Sequence, residues 1–322
     1  MVSNMAHSQT SKRRSLLTPT VLGLSLTLTA CSAGAADDPS ETPVVLTTFT
    51  VLQDMTAAVG GERVEVRSIT PLGAEVHEYD PVPSDVRDAA TASLILANGL
   101  GLEEWFEQFT QHSDAPTVTL TDGVDTLPVS RLPGHPEAAD SADMPVNPHA
   151  WISPVRALTY VDNIEEALSE LSPEDAEYFT ENAEQYRQQL LELDERLRTR
   201  IEEFDGEIHL VTCEGAFSYL AEDYGLGEHY LWPLNAEDEG TPAQVEAQIR
   251  YISENQVPTV FCESTVNDSA QSSAASAAGA ALGDPLYVDS LSEGDGPVPS
   301  YLEMLEYDIE LILNGAEGRF SD

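Results

Sequence analysis

The sequence predicts an α/β protein of two lobes, each a mostly parallel four-stranded sheet with covering helices, joined by one long rigid helix. Three observations predict it. Short apolar, β-rich runs alternate with helical patterns, the signature of parallel sheets with crossover helices. Four such runs fall in each half of the chain. Between the halves, one uninterrupted stretch carries apolar residues at helical spacing.

The first 31 residues precede any fold argument. Lys12-Arg13-Arg14 form a cationic start, and Leu16 to Ala30 is mostly apolar, ends in small residues and is too short for a comfortable membrane span. That pattern over residues 1–30 is a signal peptide. It closes on Leu28-Thr29-Ala30-Cys31, which resembles a bacterial lipobox, where Cys31 becomes the lipidated first residue. Arg13-Arg14 also fits the twin-arginine export route. Residues 31–43 are expected to be the lipidated cysteine and a flexible tether, with AGAADDPSET at 33–42. No later apolar run is long enough to span a bilayer. The expected location is outside the cytoplasm, anchored to the cell membrane as a lipoprotein.

The N-terminal lobe is expected over 44–171. Its strand candidates are 44–50, 64–70, 93–99 and 117–121, with a helix candidate at 102–111. The connecting spine is expected over 172–204. Ser172 can cap it, Pro173 suits its first position, and Glu174 and Asp175 complement the dipole. Tyr186, Leu190, Leu193, Leu197, Ile201 and Phe204 then form one apolar face. A helix from Pro173 to Phe204 would be ~48 Å long. A coiled-coil dimerisation helix is the rival reading, with a seam of only about four turns. The C-terminal lobe is expected over 205–322, with strands at 209–215, 229–234, 259–264 and 286–291 and helices at 241–255 and 299–314.

The chain holds 57 acidic residues against 14 Lys and Arg, a net charge of −43. Three of those basic residues lie before Cys31 and no acidic one does, so the remainder carries 57 against 11, or −46. Nucleic acid is excluded as a partner, because phosphate binding needs clustered Lys and Arg. Such a surface keeps a protein soluble in salty surroundings. It also enriches cations non-specifically, within ~10 Å once salt screens it.

Of the seven histidines, His7 lies in the signal peptide, and His112, His135, His209 and His229 have no evident partners nearby. His77, in GAEVHEYDP (73–81), follows a strand; His149, in NPHAW (147–151), precedes a helix. Each sits on a proline-held turn beside an aromatic residue. Either can serve as metal ligand, base or hydrogen-bond donor. Glu214 and Asp289 each close a predicted strand, where ligands bind in open α/β sheets. Buried carboxylates there imply a partner such as a cation; capping the next helix, or solvation, is the other reading.

These segments resemble the metal-binding receptors of bacterial ABC importers of the manganese, iron and zinc type. The resemblance covers essentially all of the chain after the signal peptide. It is carried by GAEVHEYDPVPSD (73–85), LILANGLGLEEWFEQF (94–109), NPHAWISP (147–154), TCEGAFSYLAEDYG (212–225), YLWPLNAEDEGTP (230–242), FCESTVND (261–268) and LYVDSLSEGDGPVPSYLEML (286–305). It implies two α/β lobes on one rigid long helix. It also implies a metal held in the cleft by His77 and His149 from one lobe and Glu214 and Asp289 from the other. All four must bind deprotonated, so affinity should fall on acidification.

The resemblance implies a solute-binding role without catalysis, a permease with its ATPase as partner, and a monomer. Zinc-type members usually carry a third His at position 214 and a His-rich loop. Here Glu214 and an acidic loop (131–147) with one histidine, His135, favour Mn²⁺ over Zn²⁺ or Fe²⁺, although Zn²⁺ stands above Mn²⁺ in intrinsic affinity. Glu263 is implied to support the ligands rather than join them. Trp151, Phe217 and Tyr219 are expected to wall the cleft or simply pack the core. Cys213 and Cys262 depart from the family pattern. If their strands are neighbours, as the family topology suggests, a disulfide forms, with two buried thiols as the alternative. A zinc metallohydrolase is the reading from another class; no HExxH motif is present. Surface adhesion is a role claimed for some members, and nothing in this sequence marks an adhesive surface.

Overall fold

A computed structural model describes residues 42–106, 113–129, 145–234 and 240–320. The signal peptide, Cys31, the second half of the 102–111 helix candidate, His112 and His135 lie outside the described residues. From Thr42 onward the chain forms one compact unit.

The first half contains strands β1 (Val44–Thr47), β2 (Glu65–Ser68), β3 (Leu94–Ala97) and β4 (Thr117–Thr119), all parallel, in the order β2-β1-β3-β4. Helices α1 (Thr50–Gly60), α2 (Pro83–Thr91) and α3 (Pro154–Leu171) belong to this half. β3 is buried along its whole length, which is why LILA reads as an unbroken apolar run rather than an alternation. Buried Glu103 staples its carboxyl end, accepting from Thr48 Oγ1 at 2.7 Å, Asn98 N at 2.8 Å and Gly99 N at 3.1 Å.

The spine is helix α4 (Ala176–Glu202), entered through a 3₁₀ turn at Pro173–Asp175. It buries Phe179, Ala183, Tyr186, Leu190, Leu193 and Leu197, so the expected stripe faces the core. At 1.5 Å per residue it is ~40 Å long. Two details differ from expectation. Ser172 makes no side-chain cap bond; its carbonyl instead accepts from Asp175 N at 3.0 Å. Phe204 lies beyond the helix and is only partly buried.

The second half runs β5 (His209–Glu214), α5 (Ser218–Tyr224), β6 (Gly227–Trp232), α6 (Pro242–Glu254), β7 (Thr259–Val260), α7 (Ser269–Ala278), β8 (Ala281–Leu282) and α8 (Tyr301–Ala316). Its helix starts follow the sequence. Thr241 and Gln244 form a reciprocal capping box and Ser300 accepts from Glu303 N. Its strands form two parallel pairs, β5-β6 and β7-β8. Phe261 N donates to Val211 O at 2.8 Å and ties the pairs together.

The strand expected at 286–291 is not formed. Pairing to β7 starts earlier, with Ala281 N to Pro258 O and Gly283 N to Val260 O, and then resumes at Leu286 N to Cys262 O. The offset thus grows by one residue across Pro285, which has no N–H to give. This is a bulge. Beyond it only one isolated bridge, Glu263 to Leu286, continues the ladder, and Tyr287 N turns to the Asp308 carboxylate at 2.9 Å.

Cys213 and Cys262 form a disulfide with Cα atoms 4.9 Å apart, buried among Leu231 and Trp232. It closes a separation of 49 residues, for which chain entropy predicts about 4 kcal/mol of stabilisation. The Cys213→Ala/Cys262→Ala variant is therefore expected to unfold at a distinctly lower denaturant midpoint with an unchanged metal stoichiometry. An unchanged midpoint in oxidised protein would refute the crosslink's role.

Candidate metal centre

His77 lies on a turn fixed by the Glu75 carboxylate, which accepts from His77 N and Glu78 N, each at 2.8 Å. His149 is delivered differently. β3 is followed directly by Asn98, whose Nδ2 donates to Pro148 O at 3.0 Å while its Oδ1 accepts from Tyr160 OH at 2.6 Å. The peptide ahead of His149 is thereby anchored to the first sheet. Asn147 Oδ1 then accepts from His149 N at 3.0 Å and lies 2.9 Å from His149 Nδ1. This bond makes Nδ1 the protonated nitrogen and leaves the Nε2 lone pair free.

Glu214 ends β5, and its backbone N–H donates to both oxygens of Glu263 at 3.2 and 3.3 Å. Glu263 thus anchors the end of the strand that carries Glu214. Trp151, fully buried, packs on the His149 ring at 5.1 Å and donates from Nε1 to Val288 O at 3.0 Å. It therefore reaches across to the residue before Asp289. Phe217 is buried, and Tyr219 OH donates to Asn147 O at 2.7 Å.

Three of the expected groups meet at one point. His77 Nε2 is 3.2 Å from His149 Nε2 and 3.2 Å from Glu214 Oε1; His149 Nε2 is 3.4 Å from the same oxygen. All three side chains are 6% exposed or less. Asp289 is also buried, and its Oδ1 has no hydrogen-bond partner. It arrives on an irregular segment after the Pro285 bulge, where the chain bends at Val288 and Asp289, not at a strand end as the sequence suggests.

The electrostatics follow from crowding. Burial, then the Glu214 charge, push the Asp289 carboxyl well above its ordinary range, against the counter-pull of His77. Burial and Glu214 do the same to Glu263. Burial pulls His77 down, but its bond to Glu214 and the charges of Glu214, Asp289 and Glu75 outweigh it and lift its pKa to about 9. Burial drops His149 to about 3. At neutral pH one imidazole is a cation among carboxylates and the other is a neutral donor of a lone pair.

His209 and His229 belong elsewhere, both packed on Tyr251, and His229 Nδ1 meets Gln248 Oε1. The disulfide takes Cys213 and Cys262 out of any metal chemistry. Two supporting residues carry no role in the sequence reading: Glu75, which holds the His77 turn, and Asn147. The Asn-Pro-His run contained a signal for Asn147, because Asx side chains bond backbone two residues on.

The fold is similar to that of periplasmic metal-binding proteins. The manganese-bound periplasmic metal-binding protein from Candidatus Liberibacter asiaticus superposes with a TM-score of 0.76 at 34% identity, covering 84% of this chain and 98% of that one. The periplasmic zinc-binding protein TroA from Treponema pallidum shares the fold at a TM-score of 0.77 and 23% identity, over 85% of this chain and 99% of that one. The chain belongs to the family of the zinc-uptake complex component A, periplasmic (ZnuA), whose model matches residues 45–315. Among its relatives, the iron-binding protein YfeA of Yersinia pestis is 44% identical over 89% of this chain and 92% of its own. The manganese-binding lipoprotein MntA of Halalkalibacterium halodurans is 33% identical over 90% and 95%.

Proposed function

We propose that this protein is an extracytoplasmic receptor that captures a divalent metal ion and delivers it to the permease and ATPase of an ABC importer. Mn²⁺ is the favoured cargo, with Fe²⁺ and Zn²⁺ as alternatives. The lobes are 44–171 and 205–322, joined by 172–204, and Cys31 carries the lipid that holds the chain at the membrane. Among the described residues no helix is long and apolar enough to cross one.

The observation that carries this reading is the triangle of His77 Nε2, His149 Nε2 and Glu214 Oε1, with sides of 3.2, 3.2 and 3.4 Å. Its centre is about 1.9 Å from each corner, so an ion with bonds of ~2.1 Å would sit ~1 Å out of the plane. Asp289, with its unpartnered oxygen, is the fourth ligand. Two carboxylates make the donor set hard enough for Mn²⁺, whereas imidazole also suits Fe²⁺ and Zn²⁺. The description of the 44%-identical relative as iron-binding makes Fe²⁺ the second reading. Four protein ligands leave no open position of the kind catalytic zinc keeps, which supports a carrier over a hydrolase.

Because His77 sits at about 9, the ion must displace its proton at neutral pH. Affinity should fall about tenfold per unit of acidification below that value. Calorimetric titration with Mn²⁺ at pH 7, in buffers of different ionisation enthalpy, is expected to report at least one proton released per ion. Elemental analysis of protein purified from its native cells should find manganese or iron near one equivalent. Buffer-independent heats, or protein without metal, would overturn the reading.

A further inference from the structure

The side chain of Asn147 contacts both halves of the site. It is 1% exposed, and its backbone is fixed by Asn147 N to Leu127 O at 2.8 Å and by Tyr219 OH to Asn147 O at 2.7 Å. Its amide can be oriented only one way. Oδ1 faces His149 N, which can only donate, at 3.0 Å. Nδ2 faces Gly215 O, which can only accept, at 2.7 Å. With the amide so fixed, the only bond open to His149 Nδ1 is to donate to Oδ1, at 2.9 Å, and Nε2 keeps its lone pair.

The other end of the amide leads away from the metal centre. Asn147 Nδ2 also donates to Ser218 Oγ at 3.2 Å. The Ser218 hydroxyl has one proton; both Glu228 oxygens lie 2.9 Å away, while Gly215 O is at 3.4 Å. The ionised Glu228 carboxylate, the nearer acceptor, therefore takes the serine's hydrogen bond and leaves the serine oxygen to accept from Asn147. Ser218 and Glu228 line a cavity of about 350 Å³ with Leu127, Pro128 and Leu226. A directed chain thus runs Glu228, Ser218, Asn147, His149, from that cavity to the metal centre. Asn147 in that chain also holds the Gly215 turn that directly follows Glu214.

We propose that Asn147 is a positioning residue that fixes the His149 tautomer and latches His149 of the first half to the turn after Glu214 of the second, with Ser218 and Glu228 holding it from behind. This rests on the reading of His149 and Glu214 as ligands. Loss of Asn147 frees the imidazole to flip and lets the two halves of the donor set separate. Loss of Glu228 acts through the same chain and is weaker.

The test separates the two tasks. In metal-free wild type, ¹⁵N spectra of the histidine rings should show His149 protonated at Nδ1. Asn147→Ala should give mixed tautomers and weaken Mn²⁺ binding 10- to 100-fold, the usual loss when a ligand's supporting bond is removed. Asn147→Asp can accept from His149 but cannot donate to Gly215 O. It should keep the tautomer, keep the fold, and release Mn²⁺ at least fivefold faster. Glu228→Ala should weaken binding alone but add nothing to Asn147→Ala, since both act through one chain. A wild-type tautomer and affinity in Asn147→Ala, an unchanged off-rate in Asn147→Asp, or additive Asn147 and Glu228 effects would each overturn the proposal. The tautomer is read without metal, whereas His149→Ala binding Mn²⁺ like wild type would sink the ligand reading itself.

Discussion

Replacing Asp289 by asparagine is expected to raise the melting temperature of the metal-free protein by a few degrees and to erase most of the rise that Mn²⁺ confers on the wild type. The two effects have one cause. Asp289 is buried with an oxygen that lacks a partner, and its charge is opposed by Glu214 and Glu75 and favoured only in part by His77. Burying that carboxyl is costly, because it must either keep a poorly compensated charge or take up a proton from neutral solution, and asparagine removes the cost at nearly equal volume, for a gain of about 1–3 kcal/mol. In a domain of this size each kcal/mol moves the midpoint by roughly 2–4 °C.

With the ion bound, the same carboxylate becomes a ligand. At a hundredfold excess over Kd, binding stabilises the folded protein by about 2.7 kcal/mol; if Kd rises a hundredfold, that falls to roughly 0.4 kcal/mol. The lead of the variant over wild type should therefore shrink by about 2.3 kcal/mol when Mn²⁺ is added, and reverse wherever the metal-free gain is smaller than that. The native Asp289 pKa lies well above the ordinary 3.8, so the metal-free native state holds a proton that the unfolded chain has lost. Its stability should fall as pH rises from 3.8 toward that raised value, and the asparagine variant should lack this loss. Calorimetric scans of chelator-treated protein, with and without Mn²⁺, test both. A lower metal-free midpoint for the variant would remove the argument.

The second large effect is on salt dependence. Beyond Cys31 the chain carries 57 acidic groups against 11 basic ones. Many of the few cations are already engaged. Arg156 pairs with Asp223 at 2.7 Å, Arg187 with Glu165 at 2.9 Å and Arg198 with Asp194 at 3.0 Å. The surplus negative charge repels itself, and compactness increases that repulsion. The screening length falls from about 30 Å at 0.01 M salt to about 3 Å at 1 M. The melting temperature should climb by about 10 °C or more across that range, several kcal/mol on the same scale. The native charge is a property of the whole surface, so Asp289→Asn should show the same slope. A flat salt profile would mean that the acidic surface is locally compensated.

Much of the fold was legible because its signals are local. The stripe from Tyr186 to Leu197 is a 3.6-residue period written in consecutive turns, and it folds as the spine. The helix candidates at 241–255 and 299–314 fold as α6 and α8. β3, with its four apolar residues, is buried end to end. His77, His149 and Glu214 could be singled out from their turns and strand end, and the fold brings their ligand atoms within 3.4 Å of one another.

What the chain could not reveal by itself depends on residues far apart in sequence. Asp289 reads as a strand end, but Pro285 withholds one N–H, the ladder shifts by a residue, and the carboxylate arrives where the chain bends beyond it. Asn147 carries no role in the sequence reading, yet its amide bridges His149 and Gly215, 68 residues away. Cys213 and Cys262 read equally well as thiols until their strands are placed side by side. The sequence determined most of the elements and the acidic surface, because periodicity, capping and charge belong to neighbouring residues, and its resemblance to the receptor family implied the candidate ligands. Tertiary structure alone decided how the two halves meet, because a bond across the cleft depends on the packing of every element between its ends.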